Sequence, residues 1–145
     1  MSYTYEYPRP MVTVDNVIFY KKDNDLEILL IKRGNEPYKD KWALPGGFVD
    51  MDEELELAAL RELKEESGLS ITTINQIKAY GKVGRDPRGR NISVAFYGYV
   101  DGESTNLNAG DDASDAKWFK IENLPSLAFD HSEIIEDALK IIKHT

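Results

Sequence analysis

The chain predicts an α/β fold, an α/β/α sandwich around a central mixed β-sheet, and two observations carry the prediction. Runs rich in β-branched and aromatic residues come first, a helical segment follows, further strand-like runs come next, and a last helical segment ends the chain. That element order is the one expected of helices laid against a sheet. The second observation is size: 145 residues, 41% of them hydrophobic and 30% charged, suffice for one sizeable core. A single domain over residues 1–145 is the expected organisation.

Met11 to Tyr20 reads as the first strand, Lys21 to Asp25 as a polar turn, and Leu26 to Lys32 as the second strand of a hairpin. Gly34 to Lys41 is loop-like. Trp42-Ala43-Leu44 then leads into Pro45-Gly46-Gly47, where the chain is expected to turn sharply, with Gly47 allowing it to reverse towards a helix. The helix is predicted from about Glu54 to Glu66, with Asp52 or Glu53 at its start and Gly68 as a left-handed stop. Leu55, Ala58, Ala59 and Leu63 form its apolar face. Strands are expected at Ser70 to Ile77, Ala79 to Val83, Ile92 to Val100 and Ala116 to Ile121. Asp130 and Glu133 read as a capping pair for a last helix bearing Ile134, Ile135, Ala138, Ile141 and Ile142.

The first helix carries the chemistry. Residues three and four apart share a helix face, about 4.5–6 Å apart along the axis, so Glu62 stands beside both Glu65 and Glu66. Three converging carboxylates repel one another unless a cation sits among them, and Mg²⁺, with Mn²⁺ as the other choice, is the hard, oxygen-preferring counter-charge. A bare Glu-rich helix would more often be a solvated acidic face. Here the acids belong to a longer pattern.

Gly47, five residues, Glu53, seven residues, then Arg61-Glu62-Leu63-Lys64-Glu65-Glu66-Ser67-Gly68-Leu69 resembles, without mismatch, the signature of the Nudix hydrolases, which cleave nucleoside diphosphates linked to another moiety. The resemblance implies a Nudix-type α/β/α sandwich. It implies that Glu62, Glu65 and Glu66, with the backbone carbonyl of Gly46, are metal ligands. It also implies that Arg61 pairs with Glu53 and the catalytic acids and fixes their rotamers. The general base is open between the helix and the Gly110–Asp115 loop; Asp112 is chosen over Asp111, Asp115 and Glu62, with a turn or capping role as the plain alternative.

Arg85-Asp86-Pro87-Arg88-Gly89-Arg90 crowds three guanidiniums into one turn. Arginine's planar fork suits phosphate, so Arg85, Arg88 and Arg90, together with Arg33, are the expected substrate contacts; on charge alone a solvated basic turn weighs equally. With Tyr7-Pro8-Arg9-Pro10, Val12 to Asp15 and Leu127-Ala128-Phe129-Asp130-His131, this loop resembles the small bacterial and archaeal ADP-ribose pyrophosphatases of the family over nearly the whole chain. The implied reaction is hydrolysis of ADP-ribose to AMP and ribose 5-phosphate. Two rivals are removal of pyrophosphate from a nucleoside triphosphate and a non-catalytic ADP-ribose sensor. Regulators of the sensor kind carry an added DNA-binding domain, and none is expected here.

Composition narrows the setting. The absence of cysteine excludes disulfides and thiolate zinc sites. Eighteen Lys and Arg against 26 Asp and Glu give a net charge of −8, which argues against a nucleic-acid partner. No signal peptide or membrane-length apolar run is found, so no membrane contact and a cytoplasmic location are expected. Tyr3, Tyr5 and Tyr7 alternate as on a strand edge suited to a homodimer contact. Trp42, Phe48, Tyr97 and Tyr99 are possible stacking partners for a base but are more often core, and His131 reads as structural.

Overall fold

β1 (Met11–Lys22) is the strand on which the rest is built. In the computed structural model, which describes residues 2–101, 106–110 and 113–143, it runs parallel to β6 (Asn91–Val100) along one edge, Met11 opposite Asn91 through Tyr20 opposite Val100. Its other edge is shared. The Thr13–Asp15 stretch pairs antiparallel with β4 (Gly46–Phe48), and the Phe19–Lys22 stretch pairs antiparallel with β2 (Asp25–Arg33). β3 (Trp42–Ala43) and β7 (Ala113–Lys120) both pair with β2, and β5 (Asn75–Tyr80) closes the far side on β6. The sheet is therefore mixed, as expected.

Both faces of β1 are covered, which is why Thr13 to Phe19 is one buried run instead of an alternating one. One face packs on α1 (Leu55–Ser67): Val14 meets Ala58 and Ala59, and Ile18 meets Leu63. The other packs on α2 (His131–Lys143): Val17 and Phe19 share a core with Ile134, Ile135 and Ala138. At the fork between β4 and β2 sits Asn16, fully buried, whose backbone N–H donates to Pro45 O (2.8 Å) and whose side-chain amide donates to Ala59 O (3.0 Å). It ties helix to sheet where the strand pairing changes.

The expected hairpin and both helices are present, and Gly68 ends α1 at φ 80°, the left-handed region that favours glycine. Several local expectations need correction. The residue preceding α1 is Glu54, not Asp52 or Glu53, because Glu53 is drawn aside to accept from Asp50 N–H and Arg61. Gly46 and Gly47 are paired in β4, so their lack of a side chain serves close approach rather than reversal. The two strands expected over 70–77 and 79–83 are one, β5. Residues before it cross over Gly98, where an added Cβ would stand 3.1 Å from Thr73 O and 3.2 Å from Ile71 Cδ1, and so they do not pair. β7 starts at Ala113 and ends before a 3₁₀ turn at Ile121–Asn123. Asp130 does not act as a side-chain cap for α2, since Arg85 occupies both of its oxygens. Tyr3, Tyr5 and Tyr7 form no strand: Pro8 and Pro10 lack the N–H a ladder needs, and the Tyr3 and Tyr5 rings instead stack 6.3 Å apart.

Candidate functional site

Where β4 leaves β1, the chain opens a cavity of about 650 Å³. One wall is the acidic face of α1 with Gly46 and Gly47; the other holds Arg33, Arg85, Arg88 and Phe129. Opposite charges thus face each other across one space.

On the acidic wall, helical spacing puts Glu62, Glu65 and Glu66 on one side, and the core contacts of Ala58, Ala59 and Leu63 turn that side outward. Gly47 leaves room here. A Cβ on it would stand 2.5–2.6 Å from the Glu62 carboxylate, so a larger residue would push that flexible acid away from its place against the strand. Glu66 is buried, and its Oε1 accepts from Gly46 N–H at 2.7 Å. Burial pushes its carboxyl up to about 8; the Gly46 hydrogen bond opposes this, and the charges of Glu62 and Asp15 add to it.

Arg61 organises the rest of this wall. Its Nε and Nη2 donate to the two oxygens of Glu53 (2.6 and 2.9 Å), its Nη1 donates to Glu62 (2.8 Å) and Glu65 (3.1 Å), and Nη2 also reaches Phe48 O (3.1 Å). The Arg61 hydrogen bonds hold Glu53 below the usual carboxylate range, and Glu53 raises Arg61 in return. In this arrangement Glu62 and Glu65 are turned onto Arg61, and among the described residues no three acids or histidines stand together at metal-holding distance. The donor set nevertheless suits a hard divalent ion: Glu62, Glu65, Glu66 and Gly46 line one cavity, and Glu66, the most buried of the three acids, is raised first by burial and further by the charges of Glu62 and Asp15.

The arginine wall differs from the sequence reading. Arg85, its side chain only 4% exposed, is clamped by Asp130 through Nε (2.8 Å) and Nη2 (2.7 Å). Burial, the largest single influence, would lower its pKa, but the Asp130 hydrogen bond and the charges of Asp130, Asp15 and Asp86 together outweigh it and the net shift is upward. Arg88 gives Nε and Nη2 to buried Asp86 and lies over the rings of Phe48 (5.0 Å) and Phe129 (5.5 Å). Arg33 donates Nε to Pro37 O (2.7 Å) and also lies over Phe129 (5.1 Å). Arg90 is not brought into the cavity; its Nη1 donates to Gly81 O (2.6 Å) on the surface. Asp112 and Asp111 lie outside the described residues, and Asp115 is on β7 opposite Lys32, away from the cavity.

Of the aromatic candidates only Phe48 lines the cavity; Trp42 packs edge-on against Phe119, and Tyr97 and Tyr99 contact each other. Asp15, Asp86 and Phe129 line it and were not singled out by sequence as site residues. Asp15 had a signal, an acid inside an apolar strand: it is 7% exposed, accepts from Ser93 Oγ, and faces His131 Nε2 at 3.4 Å. His131, expected to be structural, is buried and also borders the cavity. Its Nδ1 accepts from Leu44 N–H (3.0 Å), which leaves the proton of the neutral ring on Nε2 facing Asp15, and burial lowers its pKa.

Comparison with known proteins agrees with this fold. An ADP-ribose pyrophosphatase of Methanocaldococcus jannaschii is 48% identical over 92% of the chain and 76% of that protein. Among solved structures, a MutT/nudix family protein from Enterococcus faecalis superposes with a TM-score of 0.90 at 34% identity, covering 99% of the chain and 66% of the other. The NUDIX domain of Shewanella oneidensis NrtR, solved with ADP ribose, gives a TM-score of 0.86 at 34% identity, over 94% and 90%. With the NUDIX domain family matching residues 9–138, the chain belongs to the Nudix family.

Proposed function

We propose that the protein hydrolyses the pyrophosphate bond of ADP-ribose, or of a closely related nucleoside diphosphate linked to a sugar, to AMP and ribose 5-phosphate. The observation that carries the reading is the single cavity with the acids of α1 on one wall and a cationic, aromatic wall opposite. The 48% identical pyrophosphatase and the ADP-ribose-bound structural relative support it.

Nudix hydrolases generally use divalent metal ions. For this chain the proposed ion is Mg²⁺, with Mn²⁺ as a substitute, held by Glu62, Glu65, Glu66 and the Gly46 carbonyl; when bound it neutralises diphosphate charge and polarises the phosphoryl oxygens. Arg61 and Glu53 set the carboxylate rotamers. Arg33 and Arg88 meet the phosphates, and Arg85 supports that wall through Asp130. The proposed base is Asp112. As one domain the protein would act on a small nucleotide in the cytoplasm. The described residues hold no helix long and apolar enough to cross a membrane. A homodimer would use the exposed Tyr3, Tyr5 and Tyr7 beside a groove of about 1070 Å³.

A substrate panel under one Mg²⁺ condition tests the reading: ADP-ribose, other nucleotide sugars, dinucleotides and nucleoside triphosphates, with products identified. AMP and ribose 5-phosphate should dominate at the highest kcat/KM. Preferential release of pyrophosphate from a triphosphate would replace this reading with the rival one.

A further inference from the structure

Phe129 has a backbone that phenylalanine rarely adopts. Its φ is 52°, in the left-handed region where a bulky side chain is strained, and such a residue persists only when its surroundings fix it. Here they do. On one side Ala128 N–H donates to Trp42 O (2.9 Å), joining the segment to β3; on the other, Asp130 is clamped by Arg85 and His131 is held by Leu44. The ring is thereby set in the cavity wall, with Tyr38 edge-on to it at 4.8 Å, and it carries the guanidiniums of both Arg33 and Arg88.

We infer that Phe129 is a positioning residue: it holds Arg33 and Arg88 by cation–π contact so that an anion-binding wall faces the acidic helix. This rests on the proposed reading of a phosphate-bearing substrate. Arg33 comes from the end of β2 and Arg88 from the loop before β6, elements that do not pair with each other; Pro37 O holds the first and Asp86 the second, and the Phe129 ring is the surface the two guanidiniums share. Two like charges facing one space repel, and an aromatic face that attracts both offsets that repulsion and lowers the ordering that a bound phosphate must otherwise impose. The ring so placed packs against the core cluster of Ile31, Ala43 and Ala128 and also lines the cavity.

The test uses Phe129→Leu, which removes the aromatic face, Phe129→Tyr, which keeps it, and Phe129→Gly, which removes the ring and suits the left-handed backbone, with the melting temperature of each variant measured to check its folding. Phe129→Leu and Phe129→Gly should raise KM for ADP-ribose by about tenfold, with kcat within about twofold and the Mg²⁺ concentration for half-maximal rate unchanged. Phe129→Tyr should behave as wild type. Calorimetric titration with inorganic pyrophosphate and Mg²⁺ should show the same weakening, a readout that does not depend on ADP-ribose being the substrate. In a double-mutant cycle, Phe129→Leu added to Arg33→Ala/Arg88→Ala should cost nothing further. Full additivity, an unchanged pyrophosphate affinity, or kcat falling in step with thermal stability would overturn the inference. Wild-type protein that binds pyrophosphate but does not turn over ADP-ribose would instead remove the substrate reading and leave this one standing.

Discussion

Glu66 and Arg61 show how much a single side chain depends on what surrounds it. The Glu66 carboxyl ordinarily titrates at 4.5 and is raised to about 8 by burial in the folded chain. The folded state then binds its proton more tightly than the unfolded state, so stability falls as pH rises from about 4.5 to 8 and the loss is complete above that. With EDTA present, the melting temperature of the wild type should drop between pH 6 and 9 by several degrees more than that of Glu66→Gln, whose amide keeps the acceptor for Gly46 N–H but cannot ionise. Equal drops would mean that Glu66 is already ionised at pH 6. The same variant should retain the fold and lose most of the Mg²⁺-dependent turnover. Arg61→Lys keeps the charge and loses the fork that spans Glu53, Glu62 and Glu65; kcat should fall at least tenfold, and unchanged kinetics would reduce Arg61 to a surface ion pair. The acid spacing was legible in the sequence because helical periodicity is local. The facing of Asp15 and His131 across the fold, and the left-handed backbone of Phe129, were not: each depends on neighbours remote in the chain.

At the scale of elements, the loop before β6 and the start of α2 are joined by Arg85 and Asp130, with side-chain exposures of 4% and 19%. Removing one partner of a buried pair leaves a charge without compensation, so Arg85→Ala should cost about 3 kcal/mol in chemical denaturation. Adding Asp130→Ala should restore part of that. A loss of kcat/KM with no loss of stability would assign Arg85 to substrate contact rather than to the joint. The sequence offered three guanidiniums in one turn and no means of sorting them. The structure gives one to an internal joint, one to the cavity and one to the surface, according to the carboxylates and carbonyls that other elements supply. The hairpin and α1 were readable from patterns within a few residues of each other. β5 was not, since its start is set by what crosses over Gly98.

For the whole molecule, the element order was enough to give a mixed sheet between helices, while the strand order, and above all the fork along β1, follow from pairings that no local pattern encodes. The proposed dimer is a whole-molecule expectation: sedimentation should give twice the mass of one chain, and Tyr5→Glu with Tyr7→Glu should give the monomer, whereas a wild-type monomer removes the proposal. β1 has one more consequence, and it concerns time. Its parallel partner lies 80 residues further along, so a chain leaving the ribosome has completed the hairpin and the acidic helix before the first residue of β6 exists. Closing so long a loop is entropically costly and slow relative to the hairpin. Until it closes, β1 offers an open edge and an uncovered apolar face to any other nascent strand. The newly made protein therefore carries its full set of glutamates through a period in which it has no cavity for them to line.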